Sequence, residues 1–310
     1  MKKWLGIIML FLTAFIWGIA FVAQSVGMDY VGPFTFNFAR YIIGSLVLIP
    51  FVIAGISNKK KHIAKEITDE KEKKKEFASY LRYTIIGGIG CGVLLCVASC
   101  LQQFGILYSK AVGKAGFLTA LYIIMVPVLG LIFGKKTKAL IWVCVGLATI
   151  GLYLLCVKEG LRFELGDIFL ILCALVFSFH IIFIDYVSPK GNGVTISCIQ
   201  FAVAGIICFF AALITEKIVL TDILRAYVPI LYAGVMSCGV AYTFQILGQK
   251  YVEPTKASLI LCLECAFATL GGWVILHQVL SPKETIGCIV VFIAIILAQF
   301  VQKPSEKQPK

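Results

Sequence analysis

The stretch TKASLILCLECAFATLGGWVILHQV (residues 255–279) is a long run of apolar and small residues with a single carboxylate, Glu264. As a helix, a run of this length can cross the roughly 30 Å hydrocarbon layer of a bilayer. Similar runs recur along the 310 residues, of which 60% are hydrophobic and only 14% charged. Soluble domains usually carry roughly 25% charged residues. The sequence therefore predicts an all-α polytopic membrane protein.

These runs predict ten transmembrane helices. The first follows two lysines and has no small-residue cleavage pattern, so it is interpreted as a retained helix rather than a signal peptide. The only long polar stretch, residues 58–82, is predicted to be a solvated loop with some helix. The predicted spans cover residues 4–24, 34–56, 83–107, 114–134, 139–157, 166–186, 194–215, 226–248, 256–278 and 283–302.

The basic residues predict the orientation. In the connecting segments and at the ends of the spans, 20 Lys and Arg fall on the side of the N-terminus and 7 on the other side. Because cytoplasmic segments carry the excess of positive charge, both termini and the stretch 58–82 are predicted to lie in the cytoplasm. The expected location is the plasma (inner) membrane. The net charge of +12 does not indicate nucleic-acid binding, since the basic residues are placed between the apolar runs.

The twelve cysteines do not indicate a disulfide framework, because they lie inside apolar runs or near their ends. Buried free cysteine behaves there as a small hydrophobic residue. Cys262 and Cys265 have the spacing of a metal or redox pair, but no second pair or nearby histidine completes a ligand set. The run GGIGCG (87–92) lacks the strand and the acidic residue of a dinucleotide site. We therefore predict no metal site and no cofactor.

The two halves of the chain resemble each other weakly. PFTFNFARYIIGSLVLIP (33–50) aligns with GVTISCIQFAVAGIICFF (193–210). GKAGFLTALYIIMVPVLGLIFGKKT (113–137) aligns with residues 255–279. Since each half holds five spans, an odd number, the second copy must enter the membrane from the opposite side. Inverted repeats of this kind build many secondary transporters around a site near the bilayer midplane.

This duplication defines the predicted domains. They are a first five-helix repeat over residues 1–157, a second and inverted repeat over 158–302, and a cytoplasmic tail over 303–310.

Longer stretches resemble a known family. FIWGIAFVAQSVGMDYVGPFTFNFARYIIGSLVLIPF (15–51) and QQFGILYSKAVGKAGFLTALYIIMVPVLGLIFGKK (102–136) resemble the first repeat of EamA-type transporters, in the drug/metabolite transporter superfamily. QKYVEPTKASLILCLECAFATLGGWVILHQVLSPKETIGCIVV (249–291) resembles the second. The resemblance implies ten helices in an inverted five-plus-five repeat, a central cavity and export of amino acids or other small metabolites. Lys135 and His277-Gln278 stand where the family often has a Gly-Glu pair.

Two charged residues lie deep in predicted spans. A charge at the bilayer centre costs ~2.5–3.5 kcal/mol on insertion scales. Glu264 lies roughly 12 Å deep at 1.5 Å per residue, where it is interpreted either as a group that exchanges a proton or binds a cation, or as a neutral packing carboxyl. Arg40 is interpreted either as a fork for a substrate carboxylate or as a structural side chain that reaches the membrane interface.

Five uncharged residues complete the candidate substrate-binding or coupling site. Gln103 and Gln245 are repeat partners whose amides suit a polar ligand, and equally suit hydrogen bonds between helices. Trp17, Tyr122 and His180 are candidates for lining a cavity, although single aromatic residues and histidines also serve in packing. Tyr122 is the repeat partner of Glu264. Six of the seven candidates are expected to point inward rather than at lipid: Arg40, Gln103, Tyr122, His180, Gln245 and Glu264.

The inverted duplication predicts a secondary active transporter that works by alternating access, and the family resemblance implies that it exports a small metabolite such as an amino acid. The chain has no Walker motif for ATP and no motif of a membrane-embedded hydrolase, so an enzyme is not predicted. The expected partners are a small-molecule substrate and the lipid bilayer, with protons as a candidate coupling ion. The alternative is a membrane channel or an interaction protein without transport, and a channel flux would neither saturate nor show counterflow.

Overall fold

The computed structural model describes residues 2–109, 112–135, 137–157, 164–276 and 281–300, with the side chains of 109, 112–114 and 271–276 left out. These residues form helices and turns without strands. The α-helices are α1 Lys2–Gly27, α2 Pro33–Glu66, α3 Glu70–Ser109, α4 Val112–Ala120, α5 Tyr122–Ile132, α6 Ala139–Cys156, α7 Leu165–Val187, α8 Gly193–Thr215, α9 Leu220–Arg225, α10 Tyr227–Leu231, α11 Thr243–Gln249, α12 Pro254–Leu261, α13 Leu263–Leu276 and α14 Pro282–Phe300.

The membrane spans agree with the sequence prediction. In the described part of the chain, nine helical segments are long and apolar enough to cross a membrane, and they match every predicted span except 256–278. That span is occupied by two shorter helices, α12 and α13. The class of all-α polytopic membrane protein is therefore confirmed. The predicted tail 303–310 lies outside the described residues.

The polar stretch 58–82 contains more helix than the prediction of a loop with some helix. α2 continues to Glu66 and α3 begins at Glu70, so only three residues of the stretch are not helical. Lys, Glu and Ala are strong helix formers, and pairs three or four residues apart stabilise helices in water. The stretch contains such pairs, His62–Glu66 and Glu70–Lys73. The two membrane helices therefore extend beyond the hydrophobic region.

Two helices are interrupted at equivalent positions of the predicted repeat. A single residue, Leu121, separates α4 from α5, and Cys262 separates α12 from α13. Their backbone angles are nearly the same, with φ −57° and ψ −11° at Leu121 and φ −63° and ψ −11° at Cys262. Such values tighten a turn towards 3₁₀ geometry. The proline inside α5, Pro127, lies six residues after the interruption.

A π-helical segment, Tyr232–Tyr242, connects α10 to α11. π-Helices longer than one turn are rare, and short ones are frequent at functional sites. The segment packs against α1 and α2 and supplies Ser237 and Tyr242 to the cavity described below. The wider turns of the π-helix therefore determine the direction in which Ser237 and Tyr242 point.

Helices from the two predicted halves pack in pairs. α2 lies along α8, α3 along α7, α6 along α14, and α1 along the span Tyr227–Gln249. Two of these contacts require glycine. A Cβ atom on Gly6 would lie 2.9 Å from the Gly248 carbonyl oxygen, and one on Gly287 would lie 2.7 Å from the Gly151 carbonyl oxygen. Small residues allow membrane helices to approach this closely.

The N-terminus of α2 is held by a carboxylate from the end of α8. Glu216 accepts hydrogen bonds from the backbone N–H groups of Phe34 at 2.8 Å and Thr35 at 2.9 Å, and from the Thr35 hydroxyl at 2.6 Å. The first N–H groups of a helix have no partner within the helix, and the helix dipole favours an anion there. Glu216 thus connects the two halves at one end of the bundle.

Candidate functional site

A cavity opens among the helices at the level of the two interruptions. It comprises about 470 Å³ of space between atoms, including space open to solvent. The lining side chains are Trp17, Phe21, Gln24, Arg40, Gln102, Thr119, Tyr122, Phe177, Ile181, Ser237, Tyr242, Gln245, Leu261 and Glu264.

The structure brings five of the seven candidate residues to this cavity. They are Trp17, Arg40, Tyr122, Gln245 and Glu264. The other two are fully buried but do not line it. The rings of His180 and Tyr242 are in contact, with centroids 6.3 Å apart. The Nε2 atom of His180 is 3.2 Å from Gln200 Oε1. Gln103 is buried on α3, and neither polar atom of its side chain has a partner among the described residues.

Glu264 is hydrogen-bonded to Tyr122, its partner in the predicted repeat. The Tyr122 hydroxyl donates to Glu264 Oε1 at 3.0 Å. Tyr122 is the first residue of α5 and Glu264 the second of α13, so each side chain directly follows an interruption of its helix. Both side chains are buried in the bundle, with relative exposures of 3% and 4%. The two interrupted helices therefore meet through this hydrogen bond at the cavity wall.

Arg40 contributes a buried cation to the same cavity. Its Nη1 donates to Gln24 Oε1 at 3.1 Å and its Nη2 to the Tyr41 hydroxyl at 3.2 Å. The guanidinium carbon also lies 4.8 Å from the centroid of the Tyr41 ring and 5.7 Å from that of Phe36. These partners are all neutral. Arg40 is 2% exposed, so its side chain remains inside the bundle instead of reaching the outer surface.

Several lining side chains keep polar atoms without a protein partner. Among the described residues, no hydrogen bond is made by Trp17 Nε1, Arg40 Nε or Gln245 Oε1. Buried polar groups are normally satisfied, by protein, water or ligand. The three atoms belong to residues around one cavity, so a polar ligand or water molecules there can satisfy them.

Aromatic rings form one side of the cavity. The rings of Trp17 and Tyr242 have centroids 4.5 Å apart, and Phe177 also lines the space. The cavity therefore combines a cation, a carboxylate, several amides and an apolar aromatic surface. Such a mixture binds a small molecule with both charges and an apolar part.

Five polar lining residues were not among the sequence candidates: Gln24, Gln102, Thr119, Ser237 and Tyr242. Gln102 is the neighbour of the predicted Gln103, and a step of one residue turns a helix by about 100°. The repeat alignment selected Gln103 because it pairs with Gln245, but an alignment does not determine which way a side chain points. Gln24 could have been identified from the sequence, since it is a polar amide inside the predicted span 4–24.

Comparisons with known proteins agree with this architecture. The model of the EamA-like transporter family matches residues 4–157 and 164–300. An uncharacterized transporter of Archaeoglobus fulgidus is 28% identical over 293 residues, which cover 92% of this chain and 83% of the relative. The uncharacterized transporter YoaV of Bacillus subtilis is 26% identical over 309 residues, 96% of this chain and 97% of the relative.

A further relative and a solved structure extend the comparison. An uncharacterized transporter of Clostridium kluyveri is 24% identical over 311 residues, 96% of this chain and 93% of the relative. A crystal structure with 15% sequence identity superposes with a TM-score of 0.73 and covers 94% of this chain and 96% of its own, which shows a shared fold. Because the family model covers nearly the whole sequence, the chain belongs to the EamA-like transporter family.

Proposed function

We propose that this chain is a secondary transporter that moves a small zwitterionic metabolite, such as an amino acid, by alternating access. Membership of the family makes the protein a multi-pass membrane transporter. The substrate class, the mechanism and the direction, which we take to be export, constitute the proposal.

The observation that carries the proposal is the presence of Arg40 and Glu264 around one cavity. Opposite charges in a water-poor site normally pair with each other, because an isolated buried charge is costly. Here Arg40 is hydrogen-bonded to neutral groups and Glu264 to a tyrosine. A zwitterion would place its carboxylate on the guanidinium fork and its ammonium on Glu264. Its side chain would then lie against Trp17 and Tyr242.

Alternating access is supported by the pairing of the two halves. The predicted repeats 1–157 and 158–302 contribute equivalent interrupted helices, which meet at the Tyr122–Glu264 hydrogen bond. Broken helices around a central site are a recurrent feature of transporters in which one repeat rocks against the other. The inverted arrangement of the repeats remains part of the proposal.

Protons are the proposed coupling ion, and Glu264 is the proposed carrier. A carboxyl group that gains and loses a proton gives the cavity two charge states. A substrate with an ammonium group binds the ionised state better, and this difference can bias the exchange between conformations. We further propose that both termini face the cytoplasm, as the charge bias of the connecting segments favours.

The test is counterflow in liposomes that contain the purified protein. Vesicles loaded with one unlabelled amino acid at a time receive the same labelled compound outside. Saturable uptake that rises above equilibrium and then decays is the expected result. Analogues that lack either the amino or the carboxyl group should compete poorly. A flux that neither saturates nor shows counterflow for any zwitterion would contradict the proposal and favour a channel.

A further inference from the structure

Three thiols converge between α3 and α8, outside the cavity described above. Cys96 and Cys100 lie one turn apart on the same face of α3, and Cys208 faces them from α8. Their Sγ atoms all lie within 4.8 Å of one another. We propose that Cys96, Cys100 and Cys208 form a binding site for a soft metal ion, with Cu(I) as the ion that fits it best. The proposal is independent of the transported substrate.

The sulfur spacing is close to that of a metal site. The Sγ atoms of Cys96 and Cys208 are 3.6 Å apart, and those of Cys100 and Cys208 are 3.8 Å apart. A planar three-coordinate ion with metal–sulfur bonds of about 2.3 Å holds its sulfurs about 4.0 Å apart. The three side chains therefore need only small rotations to surround an ion, without movement of either helix.

The neighbouring groups favour a thiolate at Cys100. The Asn37 amide donates to Cys100 Sγ at 3.6 Å, and a donor of this kind stabilises a negatively charged sulfur. Two hydrogen bonds connect Arg40 to the residue before Cys100. Arg40 donates to the Tyr41 hydroxyl, and the Tyr41 hydroxyl donates to Ser99. Three thiolates and one Cu(I) ion carry a net charge of −2, and the buried Arg40 cation offsets part of it.

The number and type of ligands select the ion. Thiolates are soft ligands and prefer Cu(I), zinc and iron–sulfur clusters. Structural zinc almost always takes four protein ligands, and the described residues around this cluster supply three. Cu(I) is satisfied by two or three sulfurs, which makes it the better match. On binding, the ion displaces protons from the thiols, so its affinity should fall as the pH is lowered.

The spacing in the sequence did not reveal this site. The prediction of no metal site rested on the pair Cys262 and Cys265 and on the absence of a second such pair. In the folded chain, one ligand comes from a helix more than 100 residues away from the other two. Residues one helical turn apart, such as Cys96 and Cys100, share a helix face, and this spacing is the local signal that was available.

The experiment measures Cu(I) binding to the purified full-length protein, with its thiols reduced and oxygen excluded. Cu(I) is titrated against a chromophoric chelator. Wild type should withdraw one ion per chain from the chelator. Cys96→Ser and Cys208→Ser should each weaken binding by about tenfold or more, because each removes a soft ligand. Cys144→Ser is the matched control, since Cys144 is an equally buried thiol on α6.

A second measurement, of the ligands around the bound ion, requires only the wild-type protein. X-ray absorption of the Cu(I) complex should show three sulfur ligands at about 2.3 Å. The inference would be overturned if wild type left all the copper on the chelator, if Cys144→Ser weakened binding as much as Cys96→Ser, or if nitrogen or oxygen ligands dominated the spectrum. Size-exclusion profiles of the serine variants verify that a loss of binding is not a loss of fold.

Discussion

The Tyr122 hydroxyl donates a 3.0 Å hydrogen bond to Glu264 Oε1, and the two residues hold equivalent positions in the predicted repeats. Each follows an interruption of its helix, at Leu121 and at Cys262. A carboxylate and a phenol from opposite halves thus share one hydrogen bond at the cavity wall. Any motion that separates the halves at this level must break or rearrange this bond.

Glu264→Gln is expected to preserve the fold and to abolish the pH dependence of transport. Glutamine has nearly the same shape and still accepts a hydrogen bond from Tyr122, but it cannot gain or lose a proton. Uptake in proteoliposomes across a pH series measures the effect, with Glu264→Ala beside it. If Glu264→Gln retains the wild-type pH profile and only Glu264→Ala unfolds, the carboxyl group is structural.

Tyr122→Phe is expected to slow transport without unfolding the protein. The change removes the hydroxyl that donates to Glu264 and keeps the ring. A hydrogen bond to a charged group contributes about 1.5–3 kcal/mol, so an effect of about tenfold or more on rate is expected if the bond is made in only one conformation. In a Glu264→Gln background the same change should have a smaller effect, since residues in contact are not additive. Equal effects in both backgrounds would argue against coupling.

Arg40→Lys is expected to raise KM for zwitterions by about tenfold or more, because lysine keeps the charge but cannot form a two-bonded fork with a carboxylate. Competition by amines without a carboxylate should be unchanged. Initial rates against substrate concentration measure KM, and a thermal unfolding curve verifies folding. Gln103→Leu is the control, since Gln103 is buried outside the cavity lining. A uniform loss of affinity for acids, amines and zwitterions would contradict a role in carboxylate binding.

Glu216→Ala is expected to lower the free energy of unfolding by about 1–2 kcal/mol, as the loss of a helix cap does. The carboxylate is the acceptor for two backbone N–H groups and one hydroxyl at the start of α2. Thermal unfolding in detergent measures the stability, and hydrogen exchange should become faster at the amides of Phe34 and Thr35. Asp222→Ala, at an exposed helix pair with Arg225, should change neither. Unchanged exchange at these amides would refute the assignment of the cap.

Glu70→Cys should not react with an impermeant thiol reagent added outside intact cells, and it should react after the cells are permeabilised. The 20-to-7 distribution of basic residues motivates this expectation. The native cysteines are buried or half-buried, so they give little background. Lys217→Cys, on the opposite side by the same count, should react from outside. Efficient labelling of Glu70→Cys in intact cells would reverse the orientation.

The sequence was sufficient to predict the membrane helices because the requirement for about 20 apolar residues is local and strong. It did not predict the extension of α2 and α3 through the polar stretch, where helix formers and charge pairs, rather than hydrophobicity, determine the structure. It also gave no signal for the interruptions, since Leu121 and Cys262 are neither proline nor glycine. Their conformation depends on contacts between helices.

Part of the candidate site could be predicted by the same physical rule. Placing the charged side chains of Arg40 and Glu264 inside a bilayer costs free energy. Their depth in apolar runs therefore identified them as candidate site residues. Neutral residues carry a weaker signal, because an amide or a hydroxyl in a span serves packing as readily as binding. Gln102 and Gln103 show the limit: both are amides at the same depth, and only the rotation of α3 directs Gln102 to the cavity.

The glycine contact between Gly6 and Gly248 has a mechanical consequence for α1. A second close contact follows along the same helix, because a Cβ atom on Gly18 would lie 2.8 Å from the Glu264 carbonyl oxygen. At 1.5 Å per residue the two contacts are about 18 Å apart, and Trp17 directly precedes the second one. Any displacement of Trp17 must therefore carry the backbone of α13 at Glu264 with it. The aromatic wall and the carboxylate of the cavity are expected to move as one unit.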